Sequence, residues 1–305
     1  MVRAPVLPSS RWVFGGQKSI TWQVIARRPG REYGLDMSAI EALRHHAPHA
    51  GDHIRLWRQR RRMSQLELAL EAEISTRHLS FVETGRAQPS RRMILALADH
   101  LEIPMRERNV VLAAGGFAPM YPERDLDAPE MRGVWEVIDL VLKGHLPYPA
   151  FAVDRRWNML ASNRSLPRVY DGVAEELLTA PVNALRLTLH PKGMAPRILN
   201  LEEWRANVLS RVRAQLAASA DPELAELYAE LKSYGGEEGP AVVEGRPLIP
   251  FRLMSEAGPL SFLTTTMVFD SPLDVTLSEL IIECFFPADA ETRERVATMA
   301  AEGVD

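Results

Sequence analysis

A single cysteine in 305 residues leaves this chain no disulfide framework, and a reducing cytoplasm is the compartment that fits it. That residue, Cys284, lies in an apolar, strand-like run and reads as core, not as a reactive thiol. Long apolar runs are absent as well. Nothing approaches the roughly 18 residues that a membrane-spanning helix needs, and Met1 to Asp36 lacks the apolar stretch of a secretory signal. The sequence contains no G-x-S-x-G, G-x-x-x-x-G-K, H-E-x-x-H or C-x-x-C, so nothing marks an enzyme. The pairs Glu202-Glu203 and Glu237-Glu238 read as helix-start and loop charges, not as a catalytic pair. His45, His46 and His49 stand without cysteine or acidic companions at ligand spacing, so they are expected in a solvated loop without a metal.

What is present is ordinary globular composition, 46% hydrophobic and 25% charged, in a length that suits about two domains. The most informative stretch is residues 63–90, MSQLELALEAEISTRHLSFVETGRAQPS. Ser64 and Glu67 have the S-x-x-E spacing of a capping box, and Leu66, Ala69 and Leu70 follow as an apolar stripe. Ser75 is a second N-cap, after which Ile74, Leu79 and Val82 can face a core while Thr76, Arg77, His78, Ser80 and Phe81 face outward. Gly85 suits the left-handed residue that ends this helix. Pro89 and Ser90 open another, whose Met93, Leu95, Ala96, Leu97 and Leu101 supply more core. Two short helices, a tight turn and an outward polar and basic first turn point to DNA binding.

Charge is divided along the chain. Residues 1–50 carry a net +4 and residues 51–118 a net +3, which leaves −11 for residues 119–305 out of a total of −4. The acidic total therefore does not argue against nucleic acid, since the cations sit at the proposed DNA end. Arg55, Arg58, Arg60, Arg61 and Arg62 form the densest cluster and are expected to touch phosphates.

These motifs, S-Q-x-x-L-A at Ser64–Ala69, I-S-x-x-x-L-S-x-x-E-x-G at Ile74–Gly85 and P-S-x-x-x-x-x-x-L-A at Pro89–Ala98, resemble the XRE (Cro and lambda-repressor-like) helix-turn-helix. One departure is Glu73, which stands where the family usually has glycine in the turn. The resemblance implies double-stranded DNA as partner, with Gln65 holding a phosphate and Thr76, Arg77 and His78 facing base edges in the major groove. Ser75, Ser80, Phe81, Arg86, Arg55 and Arg61 complete the expected contact set.

Ahead of this module, residues 1–50 read as an arm whose aromatic residues lack helical period, with Met37 beginning a plausible helix and a possible natural start. Residues 51–118 form the helical domain, and the proline- and acid-rich run ending at residue 129 makes 119–129 a linker. The helix MRGVWEVIDLVLKGH follows, with Val134, Ile138 and Leu142 on its apolar face. Ala150–Val153 and Trp157–Ala161 read as a hairpin, and Asn163 and Ser165 as caps of a short helix. Helices are expected at Glu202–Ser219 and Pro222–Lys232, and strands at Leu248–Met254, Leu260–Phe269 and Val275–Phe286. This order gives an α+β class: an all-α bundle, then one antiparallel sheet with flanking helices over residues 130–288, then a C-terminal helix or tail at 289–305.

The run from Asn183 to Asn200, NALRLTLHPKGMAPRILN, then Glu203-Trp204, with the hairpin Tyr148–Trp157, resembles the MmyB-like (MltR-type) ligand-binding domain, which has a PAS-like sheet and follows XRE modules in bacterial regulators. It implies a one-component regulator that senses a small molecule. Val153, Met194, Trp204, Phe262 and Met267 are candidate lining residues, and Arg186, His190 and Arg197 candidate anchors for a carboxylate, so a fatty acid or similar lipid is the expected effector; no obligatory cofactor is. One recognition helix reads too few bases for a unique site, so a homodimer on a pseudo-palindromic operator is expected. The alternative is a helix-turn-helix antitoxin whose acidic second domain binds a protein.

Overall fold

The structure, a computed structural model, describes residues 48–235, 248–269 and 273–301. The helix expected from Met37, and His45 and His46, lie outside the described residues. The first half is five helices: α1 (Ala50–Arg60), α2 (Gln65–Glu71), α3 (Thr76–Glu83), α4 (Arg91–His100) and α5 (Met105–Ala114). Local chemistry starts four of them. Ser64, Ser75 and Ser90 each accept the backbone N–H three residues on, at 3.1, 3.1 and 3.2 Å. His49, expected in a solvated loop, instead caps α1: its Nδ1 accepts from Asp52 N while the Asp52 carboxylate accepts from His49 N.

Ile54, Trp57, Leu68, Leu79, Val82, Ile94, Leu97 and Leu101 make one buried core beneath these helices. The stripe expected on α2 is corrected. Leu66 and Leu70 are 58% and 69% exposed, whereas Leu68 and Ala69 are buried. On a two-turn helix the inward face is set by one pair of adjacent positions, and Leu66 and Leu70 stack one turn apart on the other side. Gly51 lets α1 lie directly on α3, because a Cβ there would sit 1.9 Å from the Val82 carbonyl oxygen. Gly85 ends α3 at φ 70° as expected, and Glu73 holds the α2–α3 turn at φ 53°, a left-handed conformation that costs a non-glycine residue energy.

The second half opens with α6 (Arg132–Gly144) and is built on five antiparallel strands, β1 (Ala150–Val153), β2 (Met159–Ser162), β3 (Phe251–Ser255), β4 (Gly258–Val268) and β5 (Ile281–Pro287), in the order β2-β1-β5-β4-β3. α7 (Ala184–Leu189), α8 (Leu201–Ser219), α9 (Pro222–Ser233) and α10 (Ala290–Ala301) complete it. Strand alternation divides the sheet into two faces. Phe151, Val153, Leu253, Phe262 and Ile281 pack with Trp204, Val208 and Val212 of α8. Ala150, Ala152, Ile282 and Cys284 pack with Ile138 and Leu142 of α6. The result is an α+β chain, a helical bundle followed by a sheet with helices on both faces.

Three expectations change, and one is sharpened. Residues 275–280 are not strand: a 3-10 turn at Leu277–Glu279 precedes β5, held by the Asp274 carboxylate accepting from Leu277 N at 3.1 Å. Asn163 caps no helix; its buried amide accepts from Ala150 N and donates to the Leu142 and Tyr148 carbonyls. The C-terminal segment, expected as a helix or tail, is the helix α10 over Ala290–Ala301, tied to the sheet by Thr292 accepting from Ser261 N and by the buried Val296. The segment 119–129 is fixed, not free: Asn109 bonds the Met120 and Tyr121 backbone, Val275 N donates to the Pro122 carbonyl at 2.8 Å, and Trp135 Nε1 donates to the Leu126 carbonyl at 2.6 Å.

Candidate DNA-facing surface and sensor core

α3 presents its first turn at an exposed corner of the bundle. Leu79 and Val82 are buried beneath it, while Ser75, Thr76, Arg77, His78, Ser80 and Phe81 all keep surface. Arg77 is exposed, with its guanidinium 5.3 Å from the Phe81 ring centre, a stacking that pre-orients the fork. Arg86 is exposed just past the glycine stop. Arg91 and Arg92, in the first turn of α4, are exposed cations that the sequence reading passed over, although their place beside the Ser90 cap was visible.

The rigidity of this corner comes from one buried acid. Glu83, at the end of α3 and 2% exposed, accepts both Nε and Nη2 of Arg58 at 2.6 and 2.8 Å and the Gln65 amide at 2.7 Å. Its two oxygens thereby join α1, α2 and α3. Gln65, expected to hold a phosphate, has its side-chain amide committed to this acid. The arginine cluster is corrected in the same way. Arg61 is buried and donates to the Leu101 and Glu102 carbonyls at 2.8 and 2.9 Å, closing the end of α4. Arg58 belongs to Glu83, and Arg60 lies over the Trp57 ring near Glu107, with burial pushing its pKa down. Of the five, Arg55 and Arg62 are exposed.

In the second half, Val153, Met194, Trp204 and Phe262 sit together in the core between sheet and helices, as a lining set would. Met267 does not join them. It lies five residues from Phe262 on β4, hence on the opposite sheet face, and is 44% exposed. The anchors are also committed. Arg186 makes a two-pronged pair with Glu230 at 2.7 and 2.6 Å, which raises its pKa and lowers that of Glu230. His190 accepts from Lys192 N at 3.0 Å and meets the Tyr234 ring edge-on. Arg197 donates to the Val169 carbonyl at 2.7 Å, and burial lowers its pKa. A small apolar cavity of about 20 Å³, room for one water, lies among Val169, Leu253, Leu260, Phe262, Val296 and Met299.

The halves meet through charge. Arg106 of α5 pairs with Glu123 at 2.7 Å and reaches Glu279 at 3.6 Å; within the second half, beside this junction, Arg155 pairs with Asp221 at 2.9 Å. Glu279 is 2% exposed, and burial pushes its carboxyl up to about 9 against the pull of Arg106 and Arg155. Glu107 is raised by burial too, with Arg60 and Arg106 opposing. Ala220, at the end of α8, packs on the helical core of the first half.

Two family models match the chain. One, described as the MmyB-like transcription regulator ligand binding domain, covers residues 134–299, and a helix-turn-helix model covers residues 54–108. Both describe regulatory DNA-binding or ligand-binding modules, not enzymes. No curated protein matches. Among solved structures, an RNA-binding light-oxygen-voltage receptor aligns over 87% of this chain and 67% of its own at 12% identity, but with a TM-score of 0.23 it carries no argument. Among the described residues no helix is long and apolar enough to cross a membrane.

Proposed function

The chain belongs to the family of the MmyB-like transcription regulator ligand binding domain, joined to a helix-turn-helix, and from that premise we propose that it reads a two-fold operator as a homodimer and senses an amphipathic small molecule. The two modules together make the chain a ligand-responsive DNA-binding transcription regulator. The observation that carries the proposal is the outward first turn of α3, with Thr76, Arg77 and His78 keeping surface and having no partner from another helix among the described residues, and the helix end held by Glu83. Such a turn fits a major groove and reads bases with its N-terminal residues. Arg77 suits guanine O6 and N7, while Arg55, Arg86, Arg91 and Arg92 suit phosphates.

Operator selected from a random DNA pool by the full chain tests this. Arg77→Ala is expected to cost about 1–3 kcal/mol on that operator and little on random DNA. Arg55→Ala is expected to weaken both alike and to flatten the salt slope by about 1. Equal losses from the two variants on both DNAs would remove the assigned roles.

A fatty acid or similar molecule is the proposed effector. Support comes from an apolar core lined by Val153, Met194, Trp204 and Phe262 inside the matched domain. A ligand of that size needs roughly 300 Å³ or more, far above the 20 Å³ present, so binding must part the sheet from the helices over it. That movement would be felt at α5 through Arg106, Glu279 and Ala220, giving the ligand different affinities for two arrangements of the DNA-binding half. The family match across residues 134–299 favours a small molecule over the protein partner of an antitoxin.

A further inference from the structure

Two donors at consecutive positions of α8 are buried without an acceptor. Trp204 Nε1 and Arg205 Nε are both enclosed and both make no hydrogen bond. Arg205 as a whole is 7% exposed, and among the described residues no carboxylate pairs with it; Glu202, three residues back, does not. The other enclosed and unbonded atoms are different, because each belongs to a side chain that faces a group of opposite kind: Arg156 faces Glu223, Asp221 faces Arg155, and Glu279 faces Arg106.

The remaining arginines of this core are also satisfied within the fold: Arg186 by Glu230, Arg211 by Glu283, and Arg197 and Arg168 by the Val169 and Met299 carbonyls. Arg205 alone among these has no acceptor among the described residues. A guanidinium keeps its charge and offers five donors, so enclosing its Nε without an acceptor is unfavourable. Its natural complement is a group with acceptors only and a negative charge. Along α8, Arg205 also heads a buried stripe that continues through Leu209, Val212 and Leu216, so an anion here stands at the end of an apolar surface.

We propose that Arg205 receives the anionic head group, a carboxylate in the simplest case, of the amphipathic molecule this domain senses. This rests on the reading of the second half as a sensor of an amphipathic molecule. It moves the anchor away from Arg186, His190 and Arg197, whose polar atoms the fold already uses.

Thermal unfolding of the full chain with decanoate and with decanol, for wild type and Arg205→Met, tests the assignment. Decanoate is expected to raise the wild-type Tm by on the order of 5 °C and decanol by less than half of that. Arg205→Met should melt no lower than wild type without additive, since it removes an unanswered charge, and should respond alike to both compounds. If wild type responds alike to both, the anion assignment falls and the amphipathic sensor survives. If neither compound raises Tm, the sensor reading falls and the assignment with it. An Arg205→Met chain that unfolds well below wild type without additive also overturns it, because Arg205 would then be answered within the fold.

Discussion

The two halves of this chain differ in one buried arginine: both pair such residues inside the fold, as with Arg61 and Arg155, but in the second half Arg205 has no acceptor among the described residues. In the DNA-binding half, Arg58 and Arg61 are drawn inward and every donor that matters finds an acceptor, Glu83 for one and the end of α4 for the other. The reward is a stiff scaffold on which Arg77 remains exposed. In the second half, Arg205 is as buried as Arg61 but has no answering group among the described residues. Burial alone therefore says little about an arginine's task. What separates a structural from a recognition residue is whether the fold itself supplies the acceptor. The junction lies between these extremes, since Glu279 faces Arg106 at 3.6 Å yet keeps both oxygens without a hydrogen bond.

The largest effect is expected where the answering group is removed. Glu83→Ala leaves the Arg58 guanidinium and the Gln65 amide without their acceptor, so it should cost about 3–5 kcal/mol in calorimetric unfolding. A loss under about 1 kcal/mol would mean that the three-helix lock is ornamental and that the contrast with Arg205 is false.

The junction gives a smaller and pH-dependent effect. The Glu279 carboxyl is raised from an ordinary value of 4.5 to about 9, so the folded chain holds a proton that the unfolded chain releases. Stability from this group is then greatest below about pH 4.5 and declines as pH rises toward 9. Glu279→Gln should remove that decline, stabilising the chain by about 1–3 kcal/mol at pH 8 and by little at pH 5. An equal effect at both pH values would show that Glu279 is fully answered by Arg106.

The smallest effect concerns backbone. Glu73 holds φ 53° in the α2–α3 turn, so Glu73→Gly should stabilise the DNA-binding half by about 0.5–1 kcal/mol, the relief of the left-handed penalty less the added freedom of the unfolded chain. A loss on denaturant unfolding would show that the Glu73 side chain contributes a contact worth more than the strain it imposes.

Much of this was legible in residue order. The caps at Ser64, Ser75 and Ser90 and the stop at Gly85 came out as read, because capping chemistry acts within three or four residues. The helix Arg132–Gly144 and the hairpin near residues 150–162 followed from period and turn residues. The site was legible only in part. Thr76, Arg77 and His78 were placed at the surface as expected, whereas Gln65, Arg61, Arg186 and Arg197 were given partners that no local pattern announces.

Sequence alone thus determined the modules, their order and the helix that faces outward, since these depend on spacing within a few turns. Tertiary structure decided which cations stay available. Arg58 meets an acid 25 residues away, Arg61 a carbonyl 40 residues away and Arg186 an acid 44 residues away. Only folding brings such groups within 3 Å, and only that distance turns an arginine from a recognition residue into a strut.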